Sequence, residues 1–313
     1  MGIKKTKDTP ECQNNATDLS AQELPSMGSK GHLAISVRCS SNSDDVKLSR
    51  ELLVAQANEI IRSRQDPLSL LEVKLIRLAI SQVLKRDSDF KTCSCQVVDL
   101  ARYLNVAPEY LYRELPNIAE SILKKTVYIQ GKVQKKSKTA KIHAFNWVQS
   151  FRYEDGVVTF KLGDDLRPYL LGLNEMFTVY EYRAIAGLPT PNAIRLYELL
   201  ASYRNIKFSQ NYGRDSYNGY ELEQSEYLFT VEWLREFFNC TNTYPNTGNF
   251  LLRVIDPSVK AINAQTLMHI SYRRILKGKS VSALVFKIED WTCDPSRTEA
   301  VFNLIDGHVP AND

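Results

Sequence analysis

Histidine, cysteine and carboxylate spacing settle first what chemistry the chain could perform. The histidines stand alone at His32, His143, His269 and His308, with no H-x-H or H-E-x-x-H pair, so the two-imidazole grip that usually holds a catalytic metal is missing from the sequence. A strand-nicking enzyme of the rolling-circle kind needs such a pair beside a nucleophilic tyrosine; tyrosines are plentiful, the pair is absent. Cysteines fall at 12, 39, 93, 95, 240 and 293. Only Cys93 and Cys95 are close, and a C-x-C without a nearby histidine or second pair lacks zinc spacing. They read as reduced thiols of a cytosolic protein. No G-x-x-x-x-G-K-[ST] run occurs, which argues against a phosphate-cradling loop. The acidic pairs Asp44-Asp45 and Asp164-Asp165 fall in a tail and a loop, poor places for a two-metal centre. The residues predict no enzyme, metal or cofactor.

The cations are distributed differently. Formal net charge is only +4, so a surface for a polyanion must come from segregation. Between Pro257 and Ile288 there is no acid, while Lys260, Arg273, Arg274, Lys277, Lys279 and Lys287 are all basic. From Lys124 to Lys141 there are seven lysines and again no acid. Solvated faces usually mix signs, whereas a row of phosphates is met by cations of one sign. Lysine suits point-charge attraction to phosphate better than base readout.

Around these cations the hydrophobic period names the elements. YLFTVEWLREFFNC reads as an amphipathic helix with Thr230 as N-cap and Trp233, Leu234, Phe237 and Phe238 on one stripe. The turn cluster CTNTYPNTGN follows, then a second helix, NFLLRVIDPSVKAIN, with Phe250, Leu251, Val254, Ile255, Val259 and Ile262 inward. After it the period drops to two in LMHISYRRILKGKSVSALVFKI, a hairpin around Lys277-Gly278-Lys279. Helix, turn, helix and basic hairpin is the order of a winged helix-turn-helix, whose second helix enters the major groove.

The first half follows the same order. Residues 46–63 read as a helix with Leu52, Leu53, Ala57, Ile60 and Ile61 on its stripe, and LSLLEVKLIRLAISQVLK as a second one capped by Ser69. CQVVDLARYLNV is a short helix ending at Asn105, and the next starts with Pro108 in its first turn. Strand signals take over from Val127, with Asp155-Gly156 as a hairpin turn, and QGKVQKKSKTAK is the expected mobile wing. LYRELPNIAESI (111–122) matches LLRVIDPSVKAI (251–262) if one residue is inserted before the proline: Arg113 stands three residues ahead of Pro116, and Arg253 four ahead of Pro257. Two such helices, each carrying a proline that removes a backbone donor and kinks the chain, indicate a duplicated unit.

The expected class is α+β, mainly α, with two tandem winged helix-turn-helix domains. Residues 1–45 are a disordered polar tail, 46–175 the first domain, 176–292 the second and 293–313 a C-terminal tail. No apolar run is long enough to span a membrane and the polar N-terminus lacks a signal core, so a cytoplasmic location is expected. The tyrosine-rich stretch 211–227 reads as a surface insert.

The span from about 46 to 290 resembles the iteron-binding plasmid replication initiators, proteins of two tandem winged helices. The residues that carry the likeness are LSLLEVKLIRLAI, AIRLYELLASY, and NFLLRVIDPSVKAIN running into ISYRRILKGKSVSALVFKI. The resemblance implies double-stranded DNA as partner, bound at direct repeats of a plasmid origin, with opening of the adjacent AT-rich duplex and recruitment of the host initiator and replicative helicase. It also implies that monomers initiate while homodimers, joined through the first winged helix, repress the protein's own promoter. By position, Asn249, Arg253 and Lys260 would face the major groove, and Arg273, Arg274, Lys277 and Lys279 would hold flanking phosphates. Arg113, Lys124, Lys125, Lys135, Lys136 and Lys138 would do so in the first unit. The alternative is a winged-helix repressor of its own promoter with no initiation role. Two binding units in one chain favour the initiator, because most repressors obtain two half-sites by dimerising.

Overall fold

The computed structural model describes residues 52–84, 87–130, 142–174, 176–204, 222–223 and 225–291. Both tails, most of the tyrosine-rich stretch, and Lys135, Lys136 and Lys138 lie outside the described residues. The chain starts with strand β1 (Leu53–Ala57), which runs without a turn into α1 (Asn58–Arg62), followed by the short β2 (Arg64–Gln65). The expected helix over 46–63 is therefore corrected: its described part is half strand, because Val54 and Gln56 alternate inward before helical spacing begins at Asn58.

Helix α2 (Leu70–Ile80) begins with a full capping box: Ser69 Oγ accepts from Glu72 N, and the Glu72 carboxylate accepts from Ser69 N at 2.7 Å. Strand β3 (Cys93–Gln96) leads directly into α3 (Val97–Leu104), which Asn105 ends in the left-handed region, with φ 56°. Helix α4 (Pro108–Ile122) then runs uninterrupted through Pro116. The strands β4 (Thr126–Gln130), β5 (Ile142–Asn146), β6 (Val148–Glu154) and β7 (Val157–Leu162) form two separate sheets, ordered β2-β4-β5 and β3-β7-β6.

This pairing corrects the position of the first wing. A winged helix returns its hairpin onto the strand ahead of the helix pair, and here that hairpin is β6–β7, whose tip is Glu154-Asp155-Gly156. The lysine run instead bridges β4 and β5, an extra hairpin held on β2. The in-register apolar sets decide it: Val158 and Phe160 are buried against Cys95 and Cys93 of β3.

After a short 3-10 turn and α5 (Arg167–Leu170), the second unit repeats the scheme. Strand β8 (Phe177–Glu181) runs into α6 (Tyr182–Ala186), and Thr190 caps α7 (Pro191–Tyr203). Strand β9 (Glu226–Thr230) runs into α8 (Val231–Phe237). The next helix, α9, has three consecutive parts: α-helical Thr247–Phe250, a π-helical turn Leu251–Ile255, and α-helical Asp256–Gln265. β10 (Met268–Lys277) and β11 (Ser280–Trp291) complete a sheet ordered β10-β11-β9. The sequence-level duplication is thus a structural one, and it starts earlier than expected, at β1 and β8. These two strands pair antiparallel with each other, Leu53 opposite Glu181 and Ala57 opposite Phe177.

One continuous apolar core runs through both units, from Val54 and Ile76 to Leu196, Phe250 and Phe286. Charge is buried inside it. Arg77 of α2 binds Glu198 of α7 with two bonds, Nε to Oε1 at 2.6 Å and Nη2 to Oε2 at 3.0 Å, and both side chains are fully enclosed. Glu198 also accepts from Gln56 at 2.9 Å and from the Tyr180 hydroxyl. Burial pushes this carboxyl up, but the Arg77 guanidinium outweighs it and holds it below the usual range. Arg195, also on α7, donates to the carbonyls of Ser63 and Phe237 at 3.0 and 3.3 Å.

Candidate nucleic-acid interface

The second unit's helix pair is fixed by polar residues at its corners. Thr230 Oγ1 accepts from Trp233 N at 3.2 Å and starts α8, as its sequence position predicts. Asn239, at φ 54°, turns the chain after α8, and its amide donates to Gln65 O at 2.8 Å. Arg235 reaches under the following loop to the carbonyls of Tyr244 and Pro245 and lies over the Phe250 ring, so this arginine is used internally. Asn246 caps α9 by accepting from Gly248 N at 2.7 Å.

Along α9, Phe250, Leu251, Val254, Ile255, Ala261 and Ile262 are buried, and Asn249, Leu252, Arg253, Pro257 and Lys260 form the exposed stripe. The π-helical turn directly precedes Asp256-Pro257. Pro257 has no N–H to offer the carbonyl one turn back, and a wider turn accommodates the lost bond. The buried positions of the two helices match without the inserted residue: Leu111, Leu115, Ile118 and Ile122 of α4 correspond to Leu251, Ile255, Ser258 and Ile262 of α9. The other expected break, at Pro116, shows no interruption.

The wing is tied to that helix. Asn263 bonds both ways with β10, its Nδ2 donating to Ile270 O and its Oδ1 accepting from Ile270 N, each at 2.8 Å. The Tyr272 hydroxyl donates to Asp256 Oδ1; burial first, then this bond, raises the phenol's pKa. At the far end Lys277 pairs with Ser280 across Gly278-Lys279, and Gly278 takes φ +65°, a position glycine fills without strain.

The two adjacent arginines of β10 point to opposite faces. Arg274 shares a face with Tyr272 and Ile270, toward α9. Arg273 lies on the other face and clasps the buried carboxylate of Glu226, Nε to Oε1 at 3.2 Å and Nη2 to Oε2 at 2.9 Å. That bond, opposed by burial, draws the Glu226 carboxyl below the usual range. Lys287 is paired with Glu223 at 2.9 Å. Among the described residues Arg253, Lys260, Lys277 and Lys279 are exposed and form no ion pair. The structure therefore gathers Asn249, Arg253, Lys260, Arg274, Lys277 and Lys279 on one helix stripe and its wing, and sets Arg273 apart.

The first unit offers no such surface among its described residues. Arg113 is 72% exposed but sits 3.5 Å from Glu114 and stacks over Tyr110. Lys124 faces Glu120 at 3.3 Å. Lys125, 23% exposed, donates to Pro67 O at 2.7 Å and lies 3.9 Å from the buried Glu72 carboxylate. The exposed face of α4 carries Glu109 and Glu120 with Tyr110 and Tyr112, above a wing tip that is acidic. Sequence reasoning missed Leu252, Asn263 and Tyr272, since none is charged; only the Asn263 position, at the helix end, left a trace.

Comparison with known proteins agrees with this architecture. Residues 53–201 match the family described as Initiator Replication protein, WH1, and residues 230–288 match Initiator Rep protein, WH2. An uncharacterized 27.6 kDa protein of Escherichia coli is 25% identical over 133 residues, 42% of this chain and 48% of that protein. The chain thus spans about half the length of this curated relative. The crystal structure of the Pi initiator protein in complex with iteron DNA superposes with TM-score 0.58 at 16% identity, covering 76% of this chain and 97% of that one. The likeness establishes a shared fold.

Proposed function

The chain belongs to the family of initiator replication proteins with two winged-helix domains, and from that membership we propose that it is a plasmid replication initiator that binds iteron DNA through α9 and the β10–β11 wing. The observation that carries the reading is the set of exposed cations, Arg253, Lys260, Lys277 and Lys279, that form no ion pair among the described residues and lie on one helix stripe and the hairpin tied to it by Asn263. A helix with an exposed polar stripe fits the major groove, and a cationic hairpin fits the phosphates beside it. That the Pi initiator is recorded with iteron DNA supports the same class of target here.

In this reading Asn249, Arg253 and Lys260 face base edges and Arg274, Lys277 and Lys279 hold phosphates. Arg273 contributes by bracing Glu226 under the sheet. The protein acts in the cytoplasm by binding alone, with no catalytic step. Opening of the neighbouring duplex, homodimers joined through the first unit, and contact with the host initiator and replicative helicase complete the proposal. Among the described residues no helix is long and apolar enough to cross a membrane.

Binding measured on a repeat-bearing duplex and on a scrambled one tests the assignment. Arg253→Ala should lose about 1–3 kcal/mol on the specific site only, whereas Lys277→Ala should weaken both duplexes alike. Equal losses for both variants on both duplexes would remove Arg253 as a reader. Whether the gene with its upstream DNA sustains an otherwise non-replicating plasmid separates an initiator from a repressor of the same fold.

A further inference from the structure

Leu252 has no structural reason to be where it is. The buried side of α9 is already filled by Phe250, Leu251, Val254 and Ile255, while Leu252, within the π-helical turn, is 59% exposed. It stands on the stripe between Asn249 and Arg253, the two side chains there with hydrogen-bonding groups suited to base edges. No other large apolar side chain on α9 is so exposed.

An apolar group pushed into the major groove meets nitrogen or oxygen atoms at every base edge, and thymine alone adds a methyl group. The thymine 5-methyl is the single apolar group on that floor. Against any other edge a leucine would strip water from donors and acceptors and give nothing in return. Against the methyl it removes apolar surface from water on both sides. The same side chain thus favours thymine over the other three bases.

We infer that Leu252 is a specificity-determining residue that reads the methyl group of a thymine in the bound site, an inference that rests on the proposed docking of α9 in the major groove. Asn249 and Arg253 then recognise neighbouring bases by hydrogen bonds, and Leu252 supplies the apolar contact between them.

Deoxyuridine isolates the contact, because it pairs with adenine as thymidine does and lacks only the methyl. The full-length chain first selects its site from a random-sequence duplex pool. Each thymine of that site is then replaced singly by deoxyuridine. At one or two positions the replacement should weaken binding of the unaltered protein about fourfold, the worth of one buried methyl-sized group. At those positions Leu252→Ala should bind the thymine and uracil duplexes equally, and Leu252→Met should keep part of the preference. Leu252 is exposed, so neither variant disturbs the core, and retained binding to scrambled duplex checks this. A selected site at which no uracil replacement distinguishes the unaltered protein from Leu252→Ala overturns the role of Leu252 and leaves DNA recognition intact. Failure of the pool to yield any preferred site overturns the docking reading itself.

Discussion

Replacing Glu198 by glutamine should loosen the packing of α2 against α7 more effectively than any surface change. The carboxylate is the only anion described between two enclosed arginines, and it accepts two bonds from Arg77, one from Gln56 and one from Tyr180. An amide keeps one oxygen and turns an N–H toward a guanidinium that has only N–H groups to offer. Arg77 Nη1 already lacks a partner, so no neighbouring acceptor can compensate. Hydrogen bonds to charged groups contribute about 1.5–3 kcal/mol each, and breaking a buried ion pair from one side costs about 3–5 kcal/mol. Because total stabilities are about 5–15 kcal/mol, a loss of this size is a large part of the whole. Urea unfolding followed by far-UV circular dichroism reads it: the midpoint should fall. The paired change Arg77→Met with Glu198→Leu removes both ends of the pair but leaves Arg195 enclosed without its anion, so it should recover only part of the loss. A Glu198→Gln loss under about 1 kcal/mol, or a double variant worse than the single one, would refute the reasoning.

Lys279→Ala should reduce the log–log salt slope of DNA binding by about 0.9, one phosphate contact, while Arg273→Ala should leave the slope unchanged; titration of both between low and moderate salt decides whether Arg273 is tied to Glu226 in solution. The same pair sets an acid-side effect. The folded Glu226 carboxyl is held below its ordinary value, so its stabilisation is present above that value and is lost as pH falls through the folded one. Unfolding free energies across the acid range should show this slope, and Arg273→Ala should flatten it. Gly278→Ala should cost about 1–2 kcal/mol, all of it from the backbone, since a Cβ there meets nothing within 4 Å; an unchanged thermal midpoint would argue against the positive φ.

What could be read from the sequence is what local rules govern. Ser69, Thr230 and Asn105 each mark a helix end where they were expected, because a cap or a left-handed residue acts on its own few neighbours. The strands β1, β3, β8 and β9 escaped notice for one shared reason. Each passes straight into a helix through a single extended residue, Ala57, Gln96, Glu181 or Thr230, with no glycine or proline to punctuate the change. The first wing was misplaced because lysine content was read as topology, whereas strand pairing follows the buried alternation of Val158 and Phe160. Arg77 and Glu198 meet across 121 positions, a contact no local pattern encodes. For the same reason the cations of β10 looked equivalent: only the pleat shows that Arg273 and Arg274 face opposite ways.

The two copies of this helix are turned the same way toward the core. Counted without a gap, Leu111, Leu115, Ile118 and Ile122 of α4 fall opposite Leu251, Ile255, Ser258 and Ile262 of α9, and all eight are buried. The outward stripe that carries Asn249, Leu252 and Arg253 on α9 carries Glu109, Tyr112 and Arg113 on α4. What separates the two surfaces is therefore the side chains mounted on them and not the rotation of the helices. The same outward positions exist twice in the chain, and only their occupants differ.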